Sequence, residues 1–217
     1  MNIYERQAAL LRGRQISLVL DVGANTGQYG VSLRHKVGYQ GRIVSFEPLS
    51  DAFAGLQRTI IGDAHWQCCN IALGDRKDTS VINISANSWS SSLLPVSATT
   101  VGIEPSISYV GKQEISLHRL DQILDQVARH DDRIFLKIDT QGYEMNVIKG
   151  ALGVIDRFDL IQVETAFFEA YQGETLIGDM IKFFDCIGYK VVSLDPGWEN
   201  PTTGELLEAD VIFARKS

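Results

Sequence analysis

The chain has 217 residues, of which 45% are hydrophobic, and its 27 acidic and 20 basic side chains give a formal net charge of −7. This length suits one α/β domain and is short for two domains and a linker, while the acidic balance disfavours a broad phosphate-binding surface. We therefore expect no nucleic-acid partner. No apolar run approaches the roughly 18 residues of a membrane span, so we expect a cytoplasmic protein without a membrane span.

Strands and helices alternate along most of the chain. The predicted strands span residues 16–21, 42–47, 65–70, 114–120, 134–139, 160–164, 189–194 and 209–214. The predicted helices span residues 3–12, 27–36, 51–60, 121–128, 143–149 and 175–187. This order is typical of a Rossmann-like α/β fold, a mostly parallel sheet with helices on both faces. A hairpin through residues 196–205 would lay the last strand antiparallel on that sheet.

Residues 85–113 interrupt the alternation. The segment is rich in Ser, Thr and Gly and contains Pro95 and Pro105. So long an irregular stretch inside a compact domain is usually a functional cover, and we predict a lid or substrate loop that excludes water from the site. Residues 1–217 are therefore predicted to form a single domain, with a helical extension over residues 1–15.

The turn after the first strand carries the most informative local pattern. The apolar run that begins at Leu18 ends in Asp21, and glycines follow at positions 23, 27 and 30. A glycine turn between a strand and a helix lies at the carboxyl edge of a parallel sheet, where nucleotide-like ligands bind. The spacing is not the G-x-G-x-x-G fingerprint of dinucleotide-binding proteins, which disfavours NAD.

Several motifs occur together in the order seen in FkbM methyltransferases, and the chain resembles that family from about residue 17 to residue 214. The motifs are D-V-G-A-N-T-G at 21–27, F-E-P at 46–48, N-I-A-L-G-D at 70–75, F-L-K-I-D-T-Q-G-Y-E at 135–144 and Y-Q-G-E at 171–174, with Ser91-Ser92 and Leu120-Asp121 as lesser markers. Ser50 departs from the second proline often found after F-E-P.

The resemblance implies a class I methyltransferase fold, in which a mostly parallel seven-stranded sheet has an antiparallel last strand. It also implies S-adenosyl-L-methionine as cofactor. Members of the family methylate hydroxyl groups, often on sugars or other secondary metabolites, so the resemblance implies a small-molecule or carbohydrate acceptor.

Each part of that cofactor finds a matching residue type at the ends of the first three strands. Asp21 suits the ammonium or the sulfonium of the cofactor, or could fix the glycine turn through backbone N–H bonds. The glycine turn would present backbone N–H groups to the carboxylate of the cofactor. Glu47 can accept both ribose hydroxyls, and Asn70 offers a donor and an acceptor to the adenine edge. The predicted cofactor-binding residues are Asp21, Gly23, Ala24, Asn25, Thr26, Gly27, Glu47, Pro48, Asn70, Ala72, Ser91, Ser92 and Asp139.

Acids at the ends of the central strands are the candidates for the acceptor side. Methyl transfer to a hydroxyl depends on alignment and benefits from a base that removes the hydroxyl proton. Glu164 is the first candidate to contact that hydroxyl, and Asp139 is the second. Lys137 shares a strand face with Asp139 and should pair with Glu144, Asp139 or Asp21, because a lysine in so apolar a strand needs a partner. The alternative for one group of these residues is a buried polar network that shapes the turn and supports the cofactor; the group is Lys137, Asp139, Gln141 and Glu144.

Aromatic residues are the candidates to line an acceptor pocket, because aromatic rings stack on sugars and on apolar groups alike. They are Trp89, Tyr109, Tyr143, Phe167, Phe168, Tyr171 and Trp198. No dense carboxylate motif indicates a metal site, so none is predicted. The oligomeric state stays open, with a homodimer as one option.

Three functions are carried forward from the sequence. The first is an O-methyltransferase, the second an NAD-dependent oxidoreductase, and the third a non-catalytic regulator that binds S-adenosyl-L-methionine or a nucleotide. No N-P-P-Y-like segment follows the fourth strand, which argues against methylation of an exocyclic base nitrogen.

Overall fold

A computed structural model describes residues 1–216, which fold into a seven-stranded sheet flanked by helices and a smaller second sheet. The strands are β1 (Leu18–Val22), β2 (Arg42–Phe46), β3 (Trp66–Cys69), β4 (Ala72–Leu73), β5 (Asp78–Ser85), β6 (Tyr109–His118), β7 (Ile134–Ile138), β8 (Phe158–Ala166), β9 (Tyr189–Pro196) and β10 (Glu208–Arg215). The α-helices are α1 (Ile3–Gly13), α2 (Gln28–Ser32), α3 (Ser50–Thr59), α4 (Ala98–Ile103), α5 (Leu120–Val127), α6 (Glu144–Ala151) and α7 (Ile177–Cys186). A π-helical turn, Leu33–Val37, continues α2, and Pro105–Ile107 and Leu152–Arg157 are 3₁₀ helices.

The large sheet has the strand order β3-β2-β1-β7-β8-β10-β9, and β10 runs antiparallel to both of its neighbours. The four other strand pairings are parallel. The predicted mostly parallel sheet with an antiparallel last strand is thereby confirmed. The chain changes direction across the sheet between β1 and β7, and such a switch point leaves a crevice beyond the carboxyl ends of the strands.

Both faces of the central strands are covered by apolar side chains. All five residues of β1 are buried, as expected for a parallel strand between two layers. Leu18, Leu20 and Val22 belong to one core, whereas Val19 belongs to the core on the other face. Helix α1 contributes Leu11 to that second core. No helix among residues 1–216 is long and apolar enough to cross a membrane.

The structure departs from the predicted elements between residues 78 and 118. Strands β5 and β6 form an antiparallel ladder, and β4 joins β6 in parallel, so these three strands make a second sheet. β5 has no counterpart among the predicted strands, and β6 begins at Tyr109, inside the segment expected to be irregular. The reason is that β5 carries Thr79, Ser80 and Asn83 and buries only Ile82 and Ser85, so its hydrophobic alternation is weak.

Gly150 provides a test of how tightly α6 packs against the turn after β4. A Cβ at Gly150 would lie 1.9 Å from the carbonyl oxygen of Gly74, whereas a Cβ at Gly178, in α7, meets nothing within 4 Å. We expect Gly150→Ala to lower the free energy of unfolding by about 1–3 kcal/mol because backbone must shift. Gly178→Ala, the matched control, should raise it by about 0.5–1 kcal/mol. Urea denaturation measures both, and equal effects of the two variants would contradict the packing.

Candidate active site

A cavity of about 460 Å³ lies beyond the carboxyl ends of β1, β2, β7 and β8. Its volume is in the range of roughly 300–1,000 Å³ that is usual for small-molecule sites. The turn after β1 forms one wall, and residues 87–91 of the predicted lid, together with Glu104, Ser106 and Ile107, contribute another. The cavity therefore occupies the crevice that the strand order creates.

The glycine turn after β1 is shaped by close backbone contact. Gly23 has a φ of +76°, and a Cβ there would lie 1.8 Å from the carbonyl oxygen of Asp139. The N–H groups of Gly23 and Ala24 both donate to the carbonyl of Phe46 at 3.1 Å, and that of Gly27 donates to Ala24. In contrast to the expectation of free backbone donors, these N–H groups bond within the protein. The glycine turn therefore contributes its shape and its close approach to the backbone of Asp139.

Glu47 joins the turns that follow β1 and β2. Its carboxylate accepts hydrogen bonds from the backbone N–H of Leu49 and of Asn25, each at 2.8 Å. The side chain is 5% exposed and lines the cavity. Burial raises the pKa of Glu47 to about 7, against the opposing effect of the two backbone hydrogen bonds. Glu47 thus titrates near neutral pH.

The predicted cofactor-binding residues divide into two groups in the structure. Those that line the cavity are Gly23, Ala24, Asn25, Glu47, Pro48, Ala72, Ser91 and Asp139. Those that are not among its lining residues are Asp21, Thr26, Gly27, Asn70 and Ser92.

Two members of the second group hold cavity residues in place. The side-chain amide of Asn70 donates to the carbonyls of Glu47 at 2.8 Å and of Pro48 at 3.1 Å. The hydroxyl of Ser92 donates to the carbonyl of Gln141 at 2.6 Å. Asn70 and Ser92 therefore hold the backbone around the cavity in place.

Lys137 lies between two carboxylates, and the expectation that it pairs with an acid is confirmed. Its Nζ is 3.2 Å from Oδ1 of Asp21 and 3.3 Å from Oδ2 of Asp139. It also lies 5.1 Å from the ring centroid of Tyr29. Burial works against the charge of this lysine, but the two carboxylates outweigh it, so its pKa lies above the usual value. Within residues 1–216, Asp21 Oδ1 has no hydrogen-bond partner, so the lysine is its charge partner.

Glu164 and Asp139 lie on either side of Gln141. Nε2 of Gln141 donates to Oδ1 of Asp139 at 3.0 Å and to Oε2 of Glu164. Burial raises the pKa of Glu164 well above its usual value, and the nearby charges of Asp139 and Glu208 raise it further. This shift favours the protonated form of Glu164.

Glu208 is a cavity residue that the predicted set does not include. Burial raises its pKa to about 8. It is the first residue of β10 and pairs in register with Ala166, the last residue of β8. Because β10 is antiparallel, its beginning lies at the edge where the parallel strands end. The signal that could have found Glu208 is therefore an acid at the start, not the end, of the antiparallel strand.

Four of the predicted aromatic residues line the cavity, namely Trp89, Tyr143, Tyr171 and Trp198. Tyr109, Phe167 and Phe168 are not among the lining residues. Among residues 1–216, no group of three or more His, Cys, Asp or Glu side chains has a geometry that could hold a metal ion.

Comparison with known proteins relates both the sequence and the fold to methyltransferases. A family model described as the methyltransferase FkbM domain matches residues 21–191. No curated protein matches the chain in sequence. The fold is similar to that of an rRNA methylase from Streptococcus thermophilus, with a TM-score of 0.53, 8% identity, and 100% of this chain and 98% of that chain covered.

It is also similar to a precorrin-6y C5,15-methyltransferase from Geobacter metallireducens GS-15, with a TM-score of 0.51, 12% identity, and 99% of this chain and 88% of that chain covered. At these identities the likeness concerns the fold alone.

The ion pair of Lys137 gives a stability prediction. Lys137→Met should lower the free energy of unfolding by about 3–5 kcal/mol, because it leaves the fully buried carboxylate of Asp21 without its cation. Lys149→Met, which removes an exposed lysine from α6, should change stability by no more than about 0.5 kcal/mol. The double variant Asp21→Asn with Lys137→Met should recover part of the loss. An unchanged midpoint of urea denaturation for Lys137→Met would contradict this assignment.

Proposed function

The chain belongs to the FkbM methyltransferase family, and from this premise we propose that it transfers a methyl group from S-adenosyl-L-methionine to a hydroxyl of a small or glycan-linked acceptor. The observation that carries the proposal is the pairing, in one cavity, of Glu47 at the end of β2 with Asp139 and Glu164 beyond β7 and within β8. The carboxylate of Glu47 can hold a ribose, and the carboxyl groups of Asp139 and Glu164 can interact with an acceptor hydroxyl and its proton.

The residues present fit the cofactor. Gly23 lets the turn after β1 pack directly against the backbone of Asp139 at the cavity wall, and Glu47 offers a carboxylate to two ribose hydroxyls. The carboxylate of Asp139 reaches the same cavity and suits a sulfonium cation. When bound, S-adenosyl-L-methionine supplies an electrophilic methyl group. The residues proposed to hold it are the turn at 23–25, Glu47 with Pro48, Ala72, Ser91 and Asp139.

Asp139 and Glu164 are proposed to divide the work on the acceptor hydroxyl. Asp139 lies 3.3 Å from the ammonium of Lys137, which compensates its negative charge, and it is the group proposed to accept the proton. Burial raises the pKa of Glu164, which favours its protonated form, and Glu164 is the group proposed to contact the hydroxyl by a hydrogen bond and to orient it. Alignment of the acceptor oxygen by such contacts can contribute about 7–11 kcal/mol to lowering the barrier.

Among the residues that the structure describes, the cavity offers an anionic acceptor no unpaired cation. Five acids line it, Glu47, Glu104, Asp139, Glu164 and Glu208, and the one lysine or arginine among the described lining residues, Lys137, is already paired with Asp21 and Asp139. Phosphate or carboxylate groups on the acceptor would therefore lack a cation to bind them, which disfavours nucleic acid. Trp89, at the mouth with 65% of its surface exposed, and Trp198 offer rings on which a sugar can stack. A neutral polyhydroxylated acceptor is therefore proposed.

The test compares two isosteric variants. Asp139→Asn should lower kcat for transfer of labelled methyl groups by about 10²–10⁴, because the group that accepts the proton is lost. Glu164→Gln should lower kcat less than about tenfold, since the amide keeps a donor and an acceptor with which to orient the hydroxyl. Affinity for S-adenosylhomocysteine, measured by calorimetry, separates loss of cofactor binding from loss of chemistry.

Two outcomes would contradict the proposal. A loss of about 10²–10⁴ in Glu164→Gln with an active Asp139→Asn would make Glu164 the base. Tight cofactor binding without transfer to any member of a broad panel of sugars and extracts would favour the competing hypothesis of a non-catalytic regulator.

A further inference from the structure

Two motifs of the chain, Q-G-Y at 141–143 and Y-Q-G-E at 171–174, interlock beside the cavity. Gly142 has a φ of +90°, and a Cβ there would come within 2.8 Å of Cβ of Tyr171. The ring of Tyr171 fills that space and is 2% exposed. Gly142 thus allows the tyrosine to lie directly against the turn that follows β7.

The hydroxyl of Tyr171 fixes the side-chain amide of Gln141. It donates to Oε1 of Gln141 at 2.8 Å and lies 3.2 Å from the carbonyl of Ser90. An amide has one accepting and one donating end, so an engaged Oε1 directs Nε2 the other way. In that direction lie Asp139 and Glu164, which both accept from Nε2.

Tyr171 and Gln141 are each held in place by further hydrogen bonds. The carboxylate of Glu174 accepts from the backbone N–H of Tyr171 at 2.8 Å and from that of Ala170. On the other side, the hydroxyl of Ser92 donates to the carbonyl of Gln141, whose φ is +56°. The Y-Q-G-E turn and the lid segment therefore meet at the Gln141 residue.

We propose that Tyr171 is a positioning residue for methyl transfer. By occupying Oε1 of Gln141, it keeps the amide nitrogen on Asp139 and Glu164 and holds the two carboxyl groups in the arrangement that receives the acceptor hydroxyl. This inference rests on the proposed function for its catalytic consequence. The hydrogen-bond arrangement itself is independent of any substrate.

The test variant is Tyr171→Phe, which keeps the buried ring and removes the hydroxyl. The matched control is Tyr189→Phe. Tyr189 is equally buried, and its hydroxyl lies 2.7 Å from the carbonyl oxygens of both Ile155 and Phe158, to one of which it donates, away from the cavity. Both variants lose buried hydrogen bonds, so both are expected to lose stability.

The first readout is the titration of the Glu164 carboxyl group, followed by carbon-13 NMR. In Tyr171→Phe the amide of Gln141 is free to turn, and Glu164 loses a donor that favours its charged form. Its titration midpoint should therefore move to higher pH, and Tyr189→Phe should leave it unchanged. The charged groups around Glu164, namely Asp139 after β7, Glu144 on α6, and Glu208 and Asp210 on β10, are the same in both variants, as is Lys137, which pairs with Asp139.

The second readout is methyl transfer. We expect kcat of Tyr171→Phe to fall about 10- to 100-fold, the range for loss of one hydrogen bond to a charged group, because a turned amide no longer donates to the carboxylate of Asp139. The affinity for S-adenosylhomocysteine should be unchanged. Unchanged kcat and an unchanged Glu164 titration in Tyr171→Phe would overturn the proposal. An absence of transfer by the wild-type protein would instead overturn the proposed function, and the Glu164 titration would still decide the role of Tyr171.

Discussion

The site depends on the ion pairs that the ammonium group of Lys137 makes with two carboxylates. A buried lysine is stable only when its charge is matched, and here the match comes from Asp21 on β1 and Asp139 after β7. The two strands are parallel neighbours with Asp21 and Lys137 in register, so both side chains lie on the same face of the sheet. The ion pair therefore ties the strand that begins the glycine turn to the strand that ends in the proposed base, across the point where the chain reverses direction.

Hydrogen bonds extend this pairing in both directions. On one side, the hydroxyl of Ser45 donates to Asp21 at 3.1 Å and accepts from the indole nitrogen of Trp66 at 3.0 Å. On the other, Gln141 donates to Asp139 and accepts from Tyr171. The buried-network interpretation and the catalytic interpretation of Lys137 are thus compatible. The network contacts both carboxylate oxygens of Asp139, Oδ1 through Gln141 and Oδ2 through Lys137, and Asp139 still lines the cavity in which we propose that methyl transfer takes place.

Strand periodicity and the acids that end strands are sufficient to predict the large sheet, the crevice and the cavity residues Glu47, Asp139 and Glu164, because parallel strands present their carboxyl ends at one edge. They are insufficient for features set by long-range contact. Strand β5 forms because β6 pairs with it, and its weakly alternating sequence does not reveal this pairing. Glu208 reaches the site because it is the first residue of β10, which runs antiparallel to its neighbours. Local sequence likewise does not show that the N–H groups of the glycine turn bond to Phe46, which only the neighbouring strand determines.

Titration calorimetry with S-adenosylhomocysteine, repeated in buffers of different ionisation enthalpy, tests most directly whether Glu47 binds the ribose. In the free protein Glu47 has a pKa of about 7, and hydroxyl donors favour its ionised form, so binding should lower that pKa and release protons. Between pH 6 and pH 8 the affinity should rise roughly tenfold, because the ionised fraction of Glu47 rises by that factor. Glu47→Gln should abolish both effects. Binding that releases no protons and is unchanged in Glu47→Gln would contradict the assignment.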